Sequence, residues 1–131
     1  MILWKKSFLF ALGGCMYMVL ELLWRGWSHG SMFVAGGLCF LLVGQLNQTQ
    51  PQLPLLLRAA AGAGIITMVE YAAGLLVNQN YTVWDYRTQP MNYHGQICFG
   101  FSLLWIPVAL GGMFLYDALD TRLTKYARFQ T

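Results

Sequence analysis

Two glutamates, Glu21 and Glu70, sit inside long apolar runs of a 131-residue chain. In lipid a carboxylate is expensive, so it must face protein or water, and it is a functional candidate by default. Each could hold a proton or a cation. The plainer alternative is a structural network, Glu21 with Arg25 and Glu70 with a tyrosine or tryptophan donor. Arg25 lies four residues beyond Glu21, on the same helical face, where it could pair, neutralise or gate. Ser28 and His29 follow close behind, and Tyr71 adjoins Glu70. A polar, aromatic segment then holds Trp84, Asp85, Tyr86, Asn92, His94 and Gln96, with Ser102 in the next apolar run. Together these residues are the expected binding cluster.

His29, His94, Glu70 and Asp85 are of types that ligate zinc or another divalent metal. Their spacing matches no HExxH or paired CxxC pattern, so no metal is assigned. No nucleophile–base–oxyanion set is visible, and no glycine loop fits a phosphate. Ser28 beside His29 is adjacency only, since neighbouring side chains in an extended loop point apart. Catalytic residues and cofactors stay unassigned. Cys15 and Cys39 fall in apolar runs and read as small packing residues. Cys98 lies nearer a helix end.

Elements that could position these groups follow from hydropathy. Apolar runs cover residues 7–24, 31–47, 58–77 and 96–116. About 20 apolar residues in a helix cross the roughly 30 Å hydrocarbon core of a bilayer. The expected fold is an all-α integral membrane bundle of four helices in a single domain, residues 1–131. Residues 117–131 are expected to carry the end of the fourth helix into a basic amphipathic tail at the inner surface, with Leu119, Leu123 and Tyr126 at helical spacing beside Arg122, Lys125 and Arg128. The chain is 57% hydrophobic and only 10% charged, against about 25% charged in soluble domains. A net charge of +3 spread mostly over the ends gives no support to nucleic-acid binding.

Lys5 and Lys6 before Leu12-Gly13-Gly14-Cys15 imitate a lipoprotein signal. The apolar run continues to Leu23, so the segment is expected to remain as a membrane helix. Lys5, Lys6, Arg58, Arg122, Lys125 and Arg128 fall on the side of the termini, Arg25 and Arg87 on the other. This bias predicts cytoplasmic termini, argues against dual topology, and puts the polar cluster on the outer face.

Gly14, with Tyr17 or Met18 and then Glu21, continues one face of the first helix, where small residues admit a neighbour. Ala60 and Gly64 offer a similar pair, Gly111 and Gly112 a weaker one. Pro107 removes a backbone bond and predicts a kink. The tryptophans sit mostly at predicted membrane boundaries and read as an aromatic belt. Trp84-Asp85-Tyr86 could fold back as a lid. The inner connection, residues 48–57, reads as a plain linker. A weak echo pairs Glu21 and His29-Gly30 with Glu70 and His94-Gly95. It suggests two parallel hairpins whose carboxylates and histidines line one outward-facing cavity.

Glu21, Trp24-Arg25-Gly26, Ser28-His29-Gly30-Ser31-Met32-Phe33 and Gly36-Gly37-Leu38-Cys39-Phe40 resemble a bacterial family of small membrane proteins. Val69-Glu70-Tyr71, Val83-Trp84-Asp85-Tyr86, Asn92, Gly95-Gln96-Ile97-Cys98 and Phe101-Ser102-Leu103-Leu104-Trp105 continue the likeness in order. The family carries the label "putative ABC-transporter type IV" permease. The resemblance implies a multi-pass protein of the bacterial plasma membrane, commonly in Gram-positive organisms, and by its label a permease working with a separate ATPase. The chain itself shows no nucleotide-binding motif.

The leading expectation is a small transporter or transport-system subunit with an outward-facing polar site for a proton, a cation or a small substrate. One alternative is a membrane enzyme on a lipid or envelope substrate, metal-dependent through His29 and His94. Another is a non-catalytic assembly subunit. Four helices enclose little volume, so membrane lipids and either further copies or a partner membrane subunit are the expected partners.

Overall fold

The computed structural model describes residues 2–26, 29–81 and 84–130, except the side chains of residues 2, 3, 24, 25 and 127–130. Four helices dominate: α1 (Ile2–Arg25), α2 (Gly30–Thr49), α3 (Leu55–Val77) and α4 (Phe99–Gln130). A two-residue antiparallel pair, β1 (Asn92–Tyr93) and β2 (Ile97–Cys98), precedes α4. All four helices are long and apolar enough to cross a membrane. Their outer surface is apolar too: Leu23 and Leu76 are each 79% exposed and Leu56 is 76% exposed. Such a surface is stable against lipid and not against water. The protein is a multi-pass, all-α membrane protein.

α1 and α2 form a hairpin whose contact is made by glycine. A Cβ at Gly14 would lie 2.5 Å from the Phe33 carbonyl oxygen, and one at Gly37 2.6 Å from that of Phe10. Gly13 faces Phe40 and Gly36 faces Tyr17 in the same way. Missing side chains let the two backbones approach closely, which is how helices gain van der Waals contact where lipid supplies no hydrophobic drive. Gly64 and Gly111 differ: nothing lies within 4 Å of a Cβ at either position. The Ala60/Gly64 pair therefore mediates no contact within the bundle.

α2 is the central helix, touching all three others. Its span is 44% buried, against 22% for α3 and 17% each for α1 and α4. Two apolar clusters form the core. One joins Cys39, Val43, Ile66, Ala109 and Met113. The other joins Leu9, Phe40 and Tyr116. Gly44 sits directly against the Tyr116 ring.

At the end that carries the termini, polar side chains tie the helices together. Asn47, buried in α2, accepts from Arg58 Nη1 of α3 and donates to Asp117 Oδ2 of α4. Lys5 pairs with Asp120 at 2.8 Å and donates to Thr124 Oγ1 at 3.1 Å. Lys6 donates to Tyr116 Oη at 3.0 Å and to Gln45 Oε1 at 3.2 Å. Arg58 Nε also reaches the Leu53 carbonyl at 3.1 Å, so the linker before α3 is anchored rather than plain. The stretch expected to run on from the fourth helix as an amphipathic tail is helical to Gln130, the last part of α4. Leu119 and Leu123 pack against the Leu9/Phe40/Tyr116 cluster, which holds the helix to the bundle. Trp4 and Tyr126 meet edge to face at 6.5 Å.

The opposite end is covered by the long connection between α3 and α4. Asn78 and Gln96, both fully or almost fully buried, organise it. Asn78 Nδ2 donates to the Trp84 carbonyl at 2.7 Å and to Gln96 Oε1 at 2.9 Å. Its Oδ1 accepts from Trp84 N at 3.1 Å. Gln96 Nε2 returns to the Asn78 carbonyl at 3.1 Å, and the Gln96 carbonyl accepts from Trp84 Nε1 at 2.8 Å. Gly74 makes room: a Cβ there would collide with the Gln96 carboxamide. The β1–β2 connection turns at His94 (φ 55°) and Gly95 (φ 68°), with Gln96 N donating to Tyr93 O at 3.1 Å. Two successive left-handed residues closed by that bond are what a tight hairpin with the sheet's twist requires.

Candidate functional site

A cavity of about 460 Å³ opens beneath this connection, between all four helices. α1 contributes Tyr17 and Glu21, α3 contributes Glu70, and α4 contributes Phe101 and Trp105. Trp84 and Tyr86 of the connection complete the wall. The Asn78–Gln96–Trp84 network holds the lid that places them there. Tyr86 stacks on Phe101 with centroids 5.1 Å apart and donates its hydroxyl to Glu70 Oε2 at 3.2 Å. Burial, then the Glu70 charge, then this hydrogen bond push the Tyr86 hydroxyl upward. It therefore remains a neutral donor across the physiological range.

The second oxygen of Glu70, Oε1, is buried with no hydrogen-bond partner among the described residues. Trp105 Nε1 and Thr67 Oγ1 are buried and unpartnered in the same sense. Trp105 Nε1 is a second donor beside the Glu70 carboxylate, without a completed hydrogen bond to it. Glu21 lies within electrostatic reach of Glu70. The described side chains lining the cavity include two carboxylates and no lysine, arginine or histidine. The open Glu70 carboxylate oxygen suits a positively charged or hydrogen-bond-donating occupant.

A second cavity of about 270 Å³ adjoins the first, sharing Tyr17, Cys39, Trp105 and Pro107, and runs on toward Gly112 and Leu115. Pro107 lies within α4 and lines both spaces. Nearer the termini, Leu9 and Met113 at 0% exposure and Tyr116 at 1% fill the bundle. Below them lies the Lys6–Tyr116 and Arg58–Asn47–Asp117 layer. The bundle is hollow toward the loop end and packed toward the other.

The residues singled out in the sequence separate into groups. Glu21, Glu70, Trp84 and Tyr86 line the larger cavity. Gln96 and Asn92 build the lid instead. Asn92 Nδ2 donates to the Gln89 carbonyl at 2.8 Å, and its Oδ1 accepts from Gly95 N at 3.1 Å. Asp85 points outward and pairs with Arg87 at 2.8 Å. Hydrogen bonds from the Arg87 side chain and backbone hold the Asp85 carboxyl down at about 2. Ser102 Oγ returns to the Cys98 carbonyl at 2.8 Å. Ser28 lies outside the described residues, as does the side chain of Arg25.

The expectation that both histidines join the carboxylates is corrected. His29 is the exposed N-cap of α2, accepting from Ser31 N at 3.2 Å. His94 is an exposed turn residue, stacked on Tyr93 and bonded to Tyr71 Oη at 2.9 Å. Turn geometry and helix capping account for the two His-Gly pairs separately, so they are not equivalent positions of a repeat. His29, His94, Glu70 and Asp85 do not converge, and no group of three potential metal ligands occurs among the described residues.

Sequence reasoning missed Tyr17 and Trp105 as cavity residues. Trp105 passes for a belt residue, yet it faces inward, 6.2 Å from the Tyr17 ring. Its spacing from Phe101, one helical turn away, was the available signal.

No curated protein and no solved structure matches the chain. A family model does: the one described as "Putative ABC-transporter type IV" matches residues 2–130, and the chain belongs to that family.

Proposed function

We propose that this protein is a small membrane transporter or a transport-system subunit whose loop-end cavity binds a proton, a cation or a small substrate through Glu70, assisted by Glu21. The observation that carries the reading is Glu70 Oε1, a buried carboxylate oxygen beside a cavity with no protein partner among the described residues. Two buried carboxylate oxygens are left open among the described residues, Glu70 Oε1 and Asp117 Oδ1, and of these two residues Glu70 alone lines a cavity. An acceptor left open beside a cavity is suited to an exchangeable ligand.

The packed layer toward the termini supports a one-sided opening, as a transporter at rest in one state requires. The distribution of basic residues, six on the side of the termini and two on the other, supports cytoplasmic termini and an outward-facing cavity in a bacterial plasma membrane. Four helices offer little internal volume for a complete path, which favours a second copy or a partner subunit.

Infrared difference spectroscopy of the protein in lipid, comparing low with high pH and sodium with a bulky organic counter-cation, tests the site. The groups facing Glu70 are Tyr17 and Glu21 of α1, Cys39 of α2 and Tyr86 of the lid. The expected result is a carboxyl band that responds to pH or sodium and disappears in Glu70→Gln. A carboxyl region indifferent to both, or unchanged by Glu70→Gln, contradicts the reading.

A further inference from the structure

We infer that the occupant of the loop-end cavity is an organic cation with an apolar body, of the hydrophobic ammonium or phosphonium class. The inference deepens the function proposed above and rests on it.

Three features of the cavity select that class. The first is the wall. Tyr17, Trp84, Tyr86, Phe101 and Trp105 present five aromatic rings around two carboxylates. Aromatic faces attract cations through their quadrupole, most strongly where water is excluded, and quaternary ammonium groups are typically held this way.

The second is the donor set. Sodium or a divalent ion stripped of water needs about six oxygen ligands. Apart from the two carboxylates, the described lining offers only phenol and indole groups and the Cys39 thiol as polar side chains, and the rest includes Met32, Ile66, Val69 and Val108. A cation whose charge is spread over carbon needs no such shell. The third is size. The space of about 460 Å³ lies within the range of about 300–1,000 Å³ typical of small-molecule pockets. It is far larger than a single dehydrated ion needs.

The parts then have separate roles. Glu70 supplies the charge, with Oε2 fixed by Tyr86 and Oε1 open to the ligand. Glu21 places a second carboxylate in the part of the wall that α1 supplies. Trp105 and Tyr17, tilted at 34° to one another, form an aromatic corner that continues into the smaller apolar cavity. That cavity can accept an alkyl or aryl tail of the same molecule.

The test is equilibrium binding of tetraphenylphosphonium to the full chain in nanodiscs, with triphenylphosphine oxide as an uncharged probe of similar shape and empty nanodiscs as the baseline. Saturable phosphonium binding is expected, with the oxide at least about tenfold weaker. Glu70→Gln should weaken the phosphonium by about tenfold or more, equivalent to about 1.4 kcal/mol. Trp105→Leu should weaken it several-fold, and Trp105→Phe should restore most of the loss. Glu21→Gln gives a second charge variant should Glu70→Gln fail to elute as a folded species.

Equal binding of the oxide, or affinity indifferent to both glutamates, would show a greasy pocket and overturn the inference. So would uptake no greater than in empty nanodiscs. If phosphonium fails while the Glu70 infrared band still answers to pH or sodium, the organic-cation assignment falls and the transport reading stands. If neither probe registers, both fall.

Discussion

Replacing Asn78 with alanine should unfasten the lid while leaving the bundle intact. The Asn78 side chain is fully buried. It makes bonds of 2.7 Å to the Trp84 carbonyl, 2.9 Å to Gln96 Oε1 and 3.1 Å from Trp84 N. Each is worth about 1 kcal/mol net, and the buried Gln96 Oε1, left without this donor, adds about 1–3 kcal/mol. The local loss is therefore about 4–6 kcal/mol. At about 1.4 kcal/mol per factor of ten, the lid should open about three to four orders of magnitude more often. Hydrogen exchange reads this directly. The amides of Tyr86, bonded to the Gly95 carbonyl at 3.0 Å, and Gln96, bonded to Tyr93 O at 3.1 Å, are the reporters. Their protection should collapse to that of an open loop, while amides of the central helix α2 keep theirs. A change below about fivefold at both amides, in a protein that still folds, would refute the claim that Asn78 holds the lid.

Other positions give independent tests. Gly44→Ala forces a methyl group into the Tyr116 ring. It should cost about 1–3 kcal/mol by overpacking, seen as a lower melting temperature in detergent. Gly64→Ala, with open space beside it, should stay within about 0.5 kcal/mol. Asn47→Leu removes the bridge between Arg58 and Asp117 and should cost at least about 2 kcal/mol by the same assay, because it leaves two charged groups without their shared partner. Tyr86→Phe strips Glu70 Oε2 of its donor and should alter the Glu70 infrared band without releasing the lid, whose bonds run through Asn78 and Gln96. The Asp85 carboxyl is held down at about 2, so its pairing with Arg87 is present above the unfolded value near pH 4 and is lost only as pH falls through about 2. The Arg87 side-chain resonances should therefore be constant from neutral pH to about pH 4 and shift below it.

Membrane embedding explains which parts of this molecule are legible in its sequence. Run length alone reveals the four helices, because crossing a bilayer demands about twenty apolar residues whatever the partners. Glu21 and Glu70 stand out because each interrupts such a run, and both line the cavity. Rotation about each helix axis is a different matter. Lipid is as apolar as the core, so Trp105 facing the cavity and Leu103 on the exposed outer surface are both what an apolar run would hold. The ends of α4 were hidden for local reasons. Ile97 and Cys98 look helical but pair with Asn92 and Tyr93, which delays the start to Phe99. Asp117 and Asp120 look like the beginning of a polar tail, but Asn47 and Lys5 bind them and carry the helix onward. Those partners lie far away in the chain, on other helices, and no local pattern announces them.

Glycine shows the same division. Gly13, Gly14, Gly36 and Gly37 could have been four loose positions in apolar runs. Only the pairing of α1 with α2 makes them a seam. Ala60 and Gly64 have a spacing as favourable, yet their face meets nothing in the bundle.

The central claim is a carboxylate-lined cavity, reached from the outer side of the membrane. Val69 and Met68 test it as neighbours on one helix: Val69 lines the cavity, whereas Met68 is 66% exposed on the outer surface and lines neither cavity. Each is changed to cysteine in a chain whose Cys15, Cys39 and Cys98 are alanine, and intact cells are treated with a membrane-impermeant cationic thiol reagent. Rapid labelling of Val69→Cys with little labelling of Met68→Cys is the predicted result. Labelling of Val69→Cys only after permeabilisation, or equal protection of both, would contradict an outward-facing cavity.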